Sequence, residues 1–107
     1  MKRGDVYWVD LNPTIGSEIN KKRPCIILSD DVFIQERRTI IVLPLTTKGK
    51  TNPPLVLELK VNGKNCRAVC DQIRAIDKSR LAGFIETVSS KSLGEIEESI
   101  KIILALG

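Results

Sequence analysis

Two polar segments carry side chains that could act together on a phosphate group. The first contains Glu18 and ends in a basic run at 21–23, and the second begins with Thr46 and Thr47 and continues through Lys48 and Lys50. If the apolar segments beside them pair as antiparallel strands, Arg23 and Thr46 lie at the same edge of a sheet. A guanidinium and a neighbouring hydroxyl suit a phosphate well. The spacing therefore predicts an anion site built from two segments.

The sequence contains no histidine. This absence excludes the Ser-His-Asp and Cys-His nucleophile systems, the paired histidines that cut RNA by acid–base catalysis, and most zinc sites. Catalysis would have to use Arg, Lys, Asp, Glu, Ser, Thr, Tyr or Cys.

The three cysteines, Cys25, Cys66 and Cys70, form no C-x-x-C pair. Cys66 and Cys70 fall in one strand-like segment, where four residues span roughly 13 Å, beyond the roughly 7 Å limit for a disulfide. We interpret all three as buried thiols of a reducing compartment, and we expect no metal or cofactor. A nucleophilic Cys70 beside Asp71 would lack a base to activate it.

Composition and charge limit the class of protein. The chain has 107 residues, 42% of them hydrophobic, and a net charge of +4, which favours one folded domain spanning 1–107 and excludes disorder. The apolar run at 102–106 is too short to cross a bilayer and no secretory signal leads the chain, so we expect a cytoplasmic protein. Positions 21–80 hold 13 basic and 6 acidic side chains, a balance typical of nucleic-acid-binding surfaces.

Short apolar segments separated by turn residues predict a mainly β fold. A helical turn is expected within 30–38, and an amphipathic helix at 89–106 with a capping box formed by Ser92 and Glu95. Together the elements predict a small twisted antiparallel sheet, or a partly open barrel, closed by a C-terminal helix. An Asn62-Gly63 hairpin turn is expected, and the predicted strands lie at about 5–11, 25–29, 39–45, 55–59, 67–69 and 73–76.

A set of motifs runs in order along nearly the whole chain. They are RGDVYWVDLNPT at 3–14, GSE at 16–18, RP at 23–24, PLTT at 44–47, DQIRAIDK at 71–78 and RL at 80–81. This series resembles the MazF/PemK-type toxins, which are sequence-selective endoribonucleases of type II toxin–antitoxin systems. The resemblance implies an SH3-like barrel of the MazF/PemK/CcdB kind, with a C-terminal helix. It also implies a homodimer, single-stranded mRNA as substrate and an antitoxin that blocks the RNA groove, with DNA contacted only through that antitoxin and no membrane partner.

The resemblance also assigns roles to particular residues. Arg23 matches the family's catalytic arginine and Thr46 its catalytic threonine, while Asp71 matches an acidic position credited with catalysis in some members. Members that use this acidic group carry an arginine two residues earlier, where this chain has Val69, so we rank Asp71 third. The family often has Gln where this chain has Ile19. The residues expected to bind RNA, from the resemblance and the basic loops together, are Glu18, Lys21, Lys22, Thr47, Lys48 and Gln72.

These side chains suit metal-independent cleavage of RNA, in which the ribose 2′-hydroxyl attacks the adjacent phosphate. The products would be a 2′,3′-cyclic phosphate and a 5′-hydroxyl, and Arg23 and Thr46 would stabilise the charge that develops on the phosphate oxygens. The proton acceptor stays open between Glu18, Asp71 and a phosphate oxygen. Two alternatives also stay open: a non-enzymatic toxin of the same fold that poisons DNA gyrase, and a nucleic-acid-binding module without activity.

Overall fold

The computed structural model describes residues 1–107, which fold into seven strands and two helices. The helices are α1 (Asp31–Glu36) and α2 (Ser90–Ile103), and neither is long and apolar enough to span a membrane. Short 3₁₀ turns at Cys70–Gln72 and Lys78–Arg80 lie on either side of the sixth strand. The strands are β1 (Asp5–Asp10), β2 (Lys22–Ile27), β3 (Thr39–Thr46), β4 (Val56–Val61), β5 (Lys64–Val69), β6 (Arg74–Asp77) and β7 (Leu81–Thr87).

Strand β3 organises the sheet because different parts of it pair with three other strands. Residues 39–42 pair with β6, residues 42–44 with β2, and residues 45–46 with β5, all antiparallel. The main order of strands is β4-β5-β3-β2-β1-β7. The sheet curls into a half-barrel, and the predicted class, mainly β and partly open with a C-terminal helix, is confirmed.

The two faces of the curled sheet support separate hydrophobic clusters because side chains alternate along each strand. The first core contains Val6, Ile26 and Leu43, and α2 contributes Ile96 to it. The second core lies on the opposite face and contains Val9, Cys25, Ile27 and Val42, among others, with Ile34 of α1. Strands β1, β2 and β3 are therefore buried on both faces, which explains why β2 and β3 appear in the sequence as uninterrupted apolar runs.

Several predicted boundaries were wrong. Strand β2 begins at Lys22 rather than Cys25, because Arg23 and Pro24 pair with β1 in the same register as the apolar residues that follow. Strands β4 and β5 pair in register from 56↔69 to 61↔64, longer than predicted. The Asn62-Gly63 turn between them is confirmed, with φ angles of 54° and 78°, the left-handed values that two-residue hairpins favour.

The C-terminal part of the fold also departs from prediction. Strand β7 was not predicted, and the capping box at Ser92 and Glu95 was misplaced. The N-cap is Ser89, whose side chain accepts a hydrogen bond from the Ser92 N–H at 3.1 Å, and α2 ends at Ile103 rather than near 106. Cys66 lies in β5 while Cys70 opens a 3₁₀ turn, so the two do not share a strand; the prediction of free, buried thiols is confirmed.

Candidate functional site

The ends of β2 and β3 bring Arg23 and Thr46 together. Cys25 lies opposite Pro44 and Ile27 opposite Val42; the pairing of β2 with β3 ends there, and Arg23 and Thr46 stand two residues beyond it on the same face of their strands. Directly opposed residues of antiparallel strands share one face, with Cα atoms about 4.5–5.5 Å apart. Arg23 and Thr46 therefore lie on the same face at one edge of the sheet, and both line one cleft.

Both side chains are held locally yet keep hydrogen-bonding capacity. The Arg23 Nε donates to the carbonyl of Asn20 at 3.1 Å, which leaves the terminal nitrogens of the guanidinium free. The Thr46 Oγ1 accepts from the Lys48 N–H at 3.2 Å, so its own O–H can still donate. The pair can thus present several donors to one anion.

Arg23 and Thr46 line one cavity, and a second cavity is lined by a neighbouring part of β3. A cleft of about 320 Å³ includes Arg23, Thr46 and Lys22 in its wall, together with Thr47 and the ring of Trp8. A groove of about 370 Å³ is lined by Ser17, Glu18, Ile19, Pro44, Asp71, Gln72, Ile73 and Arg74. Pro44 stands two residues before Thr46 on β3, on the same face of the sheet, so the groove lies next to Thr46 along that strand.

The predicted residues are divided between these two cavities. Glu18, Asp71 and Gln72 line the groove, and Arg23 and Thr46 line the cleft. Lys22 and Thr47 also border the cleft, while Lys21 and Lys48 are exposed beside it and line neither cavity. Asp71 is exposed on the 3₁₀ turn after β5, so the structure groups it with Glu18 and Gln72 rather than with Arg23.

Gln72 fixes the long loop between β1 and β2 against the groove. Its Oε1 accepts from the Ile19 N–H at 2.7 Å, and its Nε2 donates to the Ser17 carbonyl at 3.5 Å. Within that loop, the Glu18 carboxylate accepts from the Ile15 N–H at 2.6 Å through Oε1 only. Glu18 therefore keeps its second oxygen for a ligand, whereas the Gln72 amide is already engaged in holding the loop.

Two arginines that sequence reasoning did not single out hold the start of the same loop. Arg74 donates to the carbonyl of Leu11 at 3.2 Å, and Arg80 donates to the carbonyls of Asp10 and Asn12. These contacts join residues more than 60 positions apart. No local pattern in the sequence signals them, although both arginines lie within the motifs at 71–78 and 80–81.

The cysteines are unsuited to nucleophilic catalysis. Burial raises the pKa of Cys25 to about 12, an effect that nearby Arg74 partly offsets. Burial and the neighbouring Asp71 carboxylate raise the pKa of Cys70 to about 11, and burial likewise raises the pKa of Cys66. All three stay as thiols near neutral pH, and the thiolate is the reactive form.

Comparison with known proteins identifies the family. Residues 2–104 match the family model described as PemK-like, MazF-like toxin of type II toxin-antitoxin system. The chain belongs to this family. The Bacillus subtilis relative named Endoribonuclease EndoA is 33% identical over 111 residues, covering 99% of this chain and 96% of that protein.

Solved structures of PemK/MazF toxins share the fold. MazF from Deinococcus radiodurans superimposes with a TM-score of 0.88 at 22% identity, over 99% of this chain and 97% of that one. A mycobacterial endoribonuclease solved in complex with its cognate antitoxin gives a TM-score of 0.83 at 20% identity, over 100% and 97% of the two chains. The half-barrel with its C-terminal helix is therefore the architecture of PemK/MazF toxins.

Proposed function

We propose that this chain is the toxin of a type II toxin–antitoxin pair and acts as an endoribonuclease on single-stranded mRNA. One observation carries the proposal: Arg23 and Thr46 lie at the same edge of the paired strands β2 and β3, and both line one cleft. Membership of the toxin family and the relative named as an endoribonuclease support it. They favour a nuclease over the gyrase-poisoning alternative and over a binding module without activity.

The chemistry follows from the side chains available. The ribose 2′-oxygen attacks phosphorus, the bond to the 5′-oxygen breaks, and the departing 5′-oxygen takes up a proton from solvent water, which leaves a 2′,3′-cyclic phosphate and a 5′-hydroxyl. Charge accumulates on the non-bridging oxygens, where the terminal nitrogens of Arg23 and the hydroxyl of Thr46 donate hydrogen bonds. An arginine guanidinium has no acceptor site for a proton, so the proton leaving the 2′-hydroxyl goes to Glu18, Asp71 or a phosphate oxygen. Of the two carboxylates, Asp71 ranks behind because the family members that use it carry an arginine two residues earlier, where this chain has Val69.

The surrounding residues would bind the RNA strand. Glu18, Asp71 and Gln72 line the groove; the carboxylates of Glu18 and Asp71 can accept hydrogen bonds from base edges, and Gln72 forms part of the RNA-binding wall while it holds the loop. Lys21, Lys22 and Lys48 flank the cleft and would attract the phosphate backbone, while the Thr47 hydroxyl adds a further donor at the cleft wall. The groove would thus bind the bases of the RNA, and the cleft would bind its phosphate backbone.

The remaining parts of the proposal concern assembly and place. Residues 1–107 would form one domain, and two copies of the chain would assemble as a homodimer. A cognate antitoxin protein would neutralise the toxin by covering the RNA groove. The toxin would contact DNA only through that antitoxin. Trp8 is 43% exposed and Phe84 56% exposed, and large apolar side chains of this kind are common at protein interfaces. Because its substrate is mRNA, the protein would act in the cytoplasm.

The decisive experiment incubates purified protein with single-stranded RNA in EDTA and determines the chemistry of the fragment ends. We expect discrete fragments with a cyclic phosphate at one end and a 5′-hydroxyl at the other, because no metal takes part in the proposed reaction. Intact RNA, with or without added divalent cations, would refute the nuclease; cleavage only with added cations would refute the metal-independent mechanism.

A further inference from the structure

A second arginine stands beside Thr46 on the strand opposite to Arg23. The β3–β5 register pairs Leu45 with Ala68 and Thr46 with Arg67. Opposed residues share a face of the sheet, so Arg67 rises on the same side as Thr46, and therefore on the same side as Arg23. Neighbouring strands lie about 4.8 Å apart, which sets the two arginine backbones roughly 10 Å from each other with the threonine between them.

Arg67 has few hydrogen bonds to hold it in the free protein. Its Nε is buried and has no hydrogen-bond partner. Its NH1 lies 3.8 Å from the Glu58 carboxylate, which stands opposite it on β4. That separation is longer than a hydrogen bond, so the ion pair is electrostatic contact only.

The environment of Arg67 differs from that of an ordinary surface cation. Its side chain is 22% exposed, whereas that of Glu58 is 53% exposed. Because the side chain is mostly buried and its Nε is enclosed without a hydrogen bond, the guanidinium lacks part of the hydration that it would have in water. An anion that offers several oxygen acceptors would supply what Glu58 does not, and phosphate matches the planar fork of arginine.

We propose that Arg67 binds an RNA backbone phosphate on the β5 side of Thr46, so that Arg23 and Arg67 bracket the strand being cut. This inference rests on the nuclease function proposed above and adds a binding residue to it. Glu58 is the resident counter-ion of Arg67 in the absence of RNA, and it competes with the phosphate for the same guanidinium. Arg67 and Glu58 should therefore have opposite effects on RNA affinity.

The test measures binding of a fluorescently labelled, mixed-sequence 2′-O-methyl RNA, which lacks the attacking hydroxyl and so is not cut. Affinity is determined over a range of salt concentrations for the wild type and for Arg67→Gln, Arg67→Lys and Glu58→Gln. We expect Arg67→Gln to bind roughly tenfold more weakly at low salt and to reduce the slope of log affinity against log salt by about 0.7, the value for one single-strand phosphate contact. Arg67→Lys should restore most of the slope, and Glu58→Gln should bind more tightly than the wild type.

Arg38 provides a matched control. It precedes the opposite end of β3 and also faces a carboxylate, with its NH2 3.6 Å from Asp77. Arg38→Gln should leave the salt slope unchanged.

The outcomes separate this inference from the function on which it rests. If wild-type protein cuts unmodified RNA and Arg67→Gln keeps the wild-type salt slope, the phosphate contact is refuted and the nuclease stands. The phosphate contact is also refuted if Arg67→Gln and Glu58→Gln weaken binding equally and lower the melting temperature together, since that pattern marks a structural ion pair. If wild-type protein neither binds nor cuts RNA, both proposals fail.

Discussion

Replacing Arg23 by alanine should remove activity while leaving the fold nearly as stable as before. The structure separates the two effects because Arg23 forms no ion pair and donates one hydrogen bond within the protein, to the Asn20 carbonyl. Such a bond contributes about 0.5–1.5 kcal/mol to the free energy of unfolding. Losing a donor to the developing charge costs about 2.7–4 kcal/mol of activation free energy.

The expected result is a fall in kcat of about 100- to 1000-fold with only a small decrease in melting temperature. The assay combines single-turnover cleavage of a fluorogenic single-stranded RNA with thermal unfolding followed by circular dichroism. Arg23→Lys keeps the charge but not the planar fork, so its rate should fall between those of the wild type and the alanine variant.

Arg38→Ala is the control, because it removes an exposed arginine near the other end of β3 and should cleave at the wild-type rate. Cleavage by Arg23→Ala at the wild-type rate would refute the placement of the reaction at the β2–β3 edge. A large decrease in the melting temperature would instead show that Arg23 stabilises the fold by more than its single hydrogen bond predicts.

Three further predictions concern other residues. Thr46→Val keeps the shape of the side chain but removes the hydroxyl, so kcat should fall by about 100-fold or more. Thr46→Ser keeps the hydroxyl and should retain most of the activity in the same cleavage assay. Equal rates for the two variants would contradict a role for the hydroxyl. The free energy of unfolding should decline as pH rises from about 9 towards 11–12. The reason is that the unfolded thiols ionise near 9.0, whereas burial raises the pKa of Cys25 to about 12 and that of Cys70 to about 11 in the folded protein. Urea titrations over this pH range should show a shallower decline for Cys25→Ala than for the wild type, and parallel curves would argue against burial as the cause. Ser89→Ala should lower the free energy of unfolding by about 1 kcal/mol through loss of the α2 N-cap. Ser92→Ala should lower the free energy of unfolding by less, because Ser92 contributes its backbone N–H to the cap and the substitution keeps that group.

The sequence was most informative where strands are buried on both faces. The segments around Ile26 and Val42 are continuous apolar runs because one core lies on each side of them, and this pattern alone located β2 and β3. Their antiparallel pairing then predicted that Arg23 and Thr46 meet. The exact start of β2 was missed because Arg23 and Pro24 are not apolar, yet they continue the register with β1.

Elements at the border of the sheet left weaker patterns. Strand β7 pairs only with β1, and its register shifts around Tyr7, so the side chains of β7 do not alternate regularly between polar and apolar.

Arg67 was overlooked for a related reason. Its position beside Thr46 depends on the Asn62-Gly63 turn setting the β4–β5 register and on β5 then joining β3. That series of pairings leaves no local motif in the sequence.

The site combines a rigid part with a tethered part, and the two should serve different functions. Arg23 and Thr46 stand on paired strands whose neighbouring residues, Cys25 and Pro44, lie opposite each other in the sheet, so their separation is set by backbone hydrogen bonds. The groove depends instead on a loop held by the side chain of Gln72. Changes in that loop would therefore reshape the groove, and with it the proposed choice of RNA sequence, while Arg23 and Thr46, which we propose stabilise the transition state, would keep their geometry.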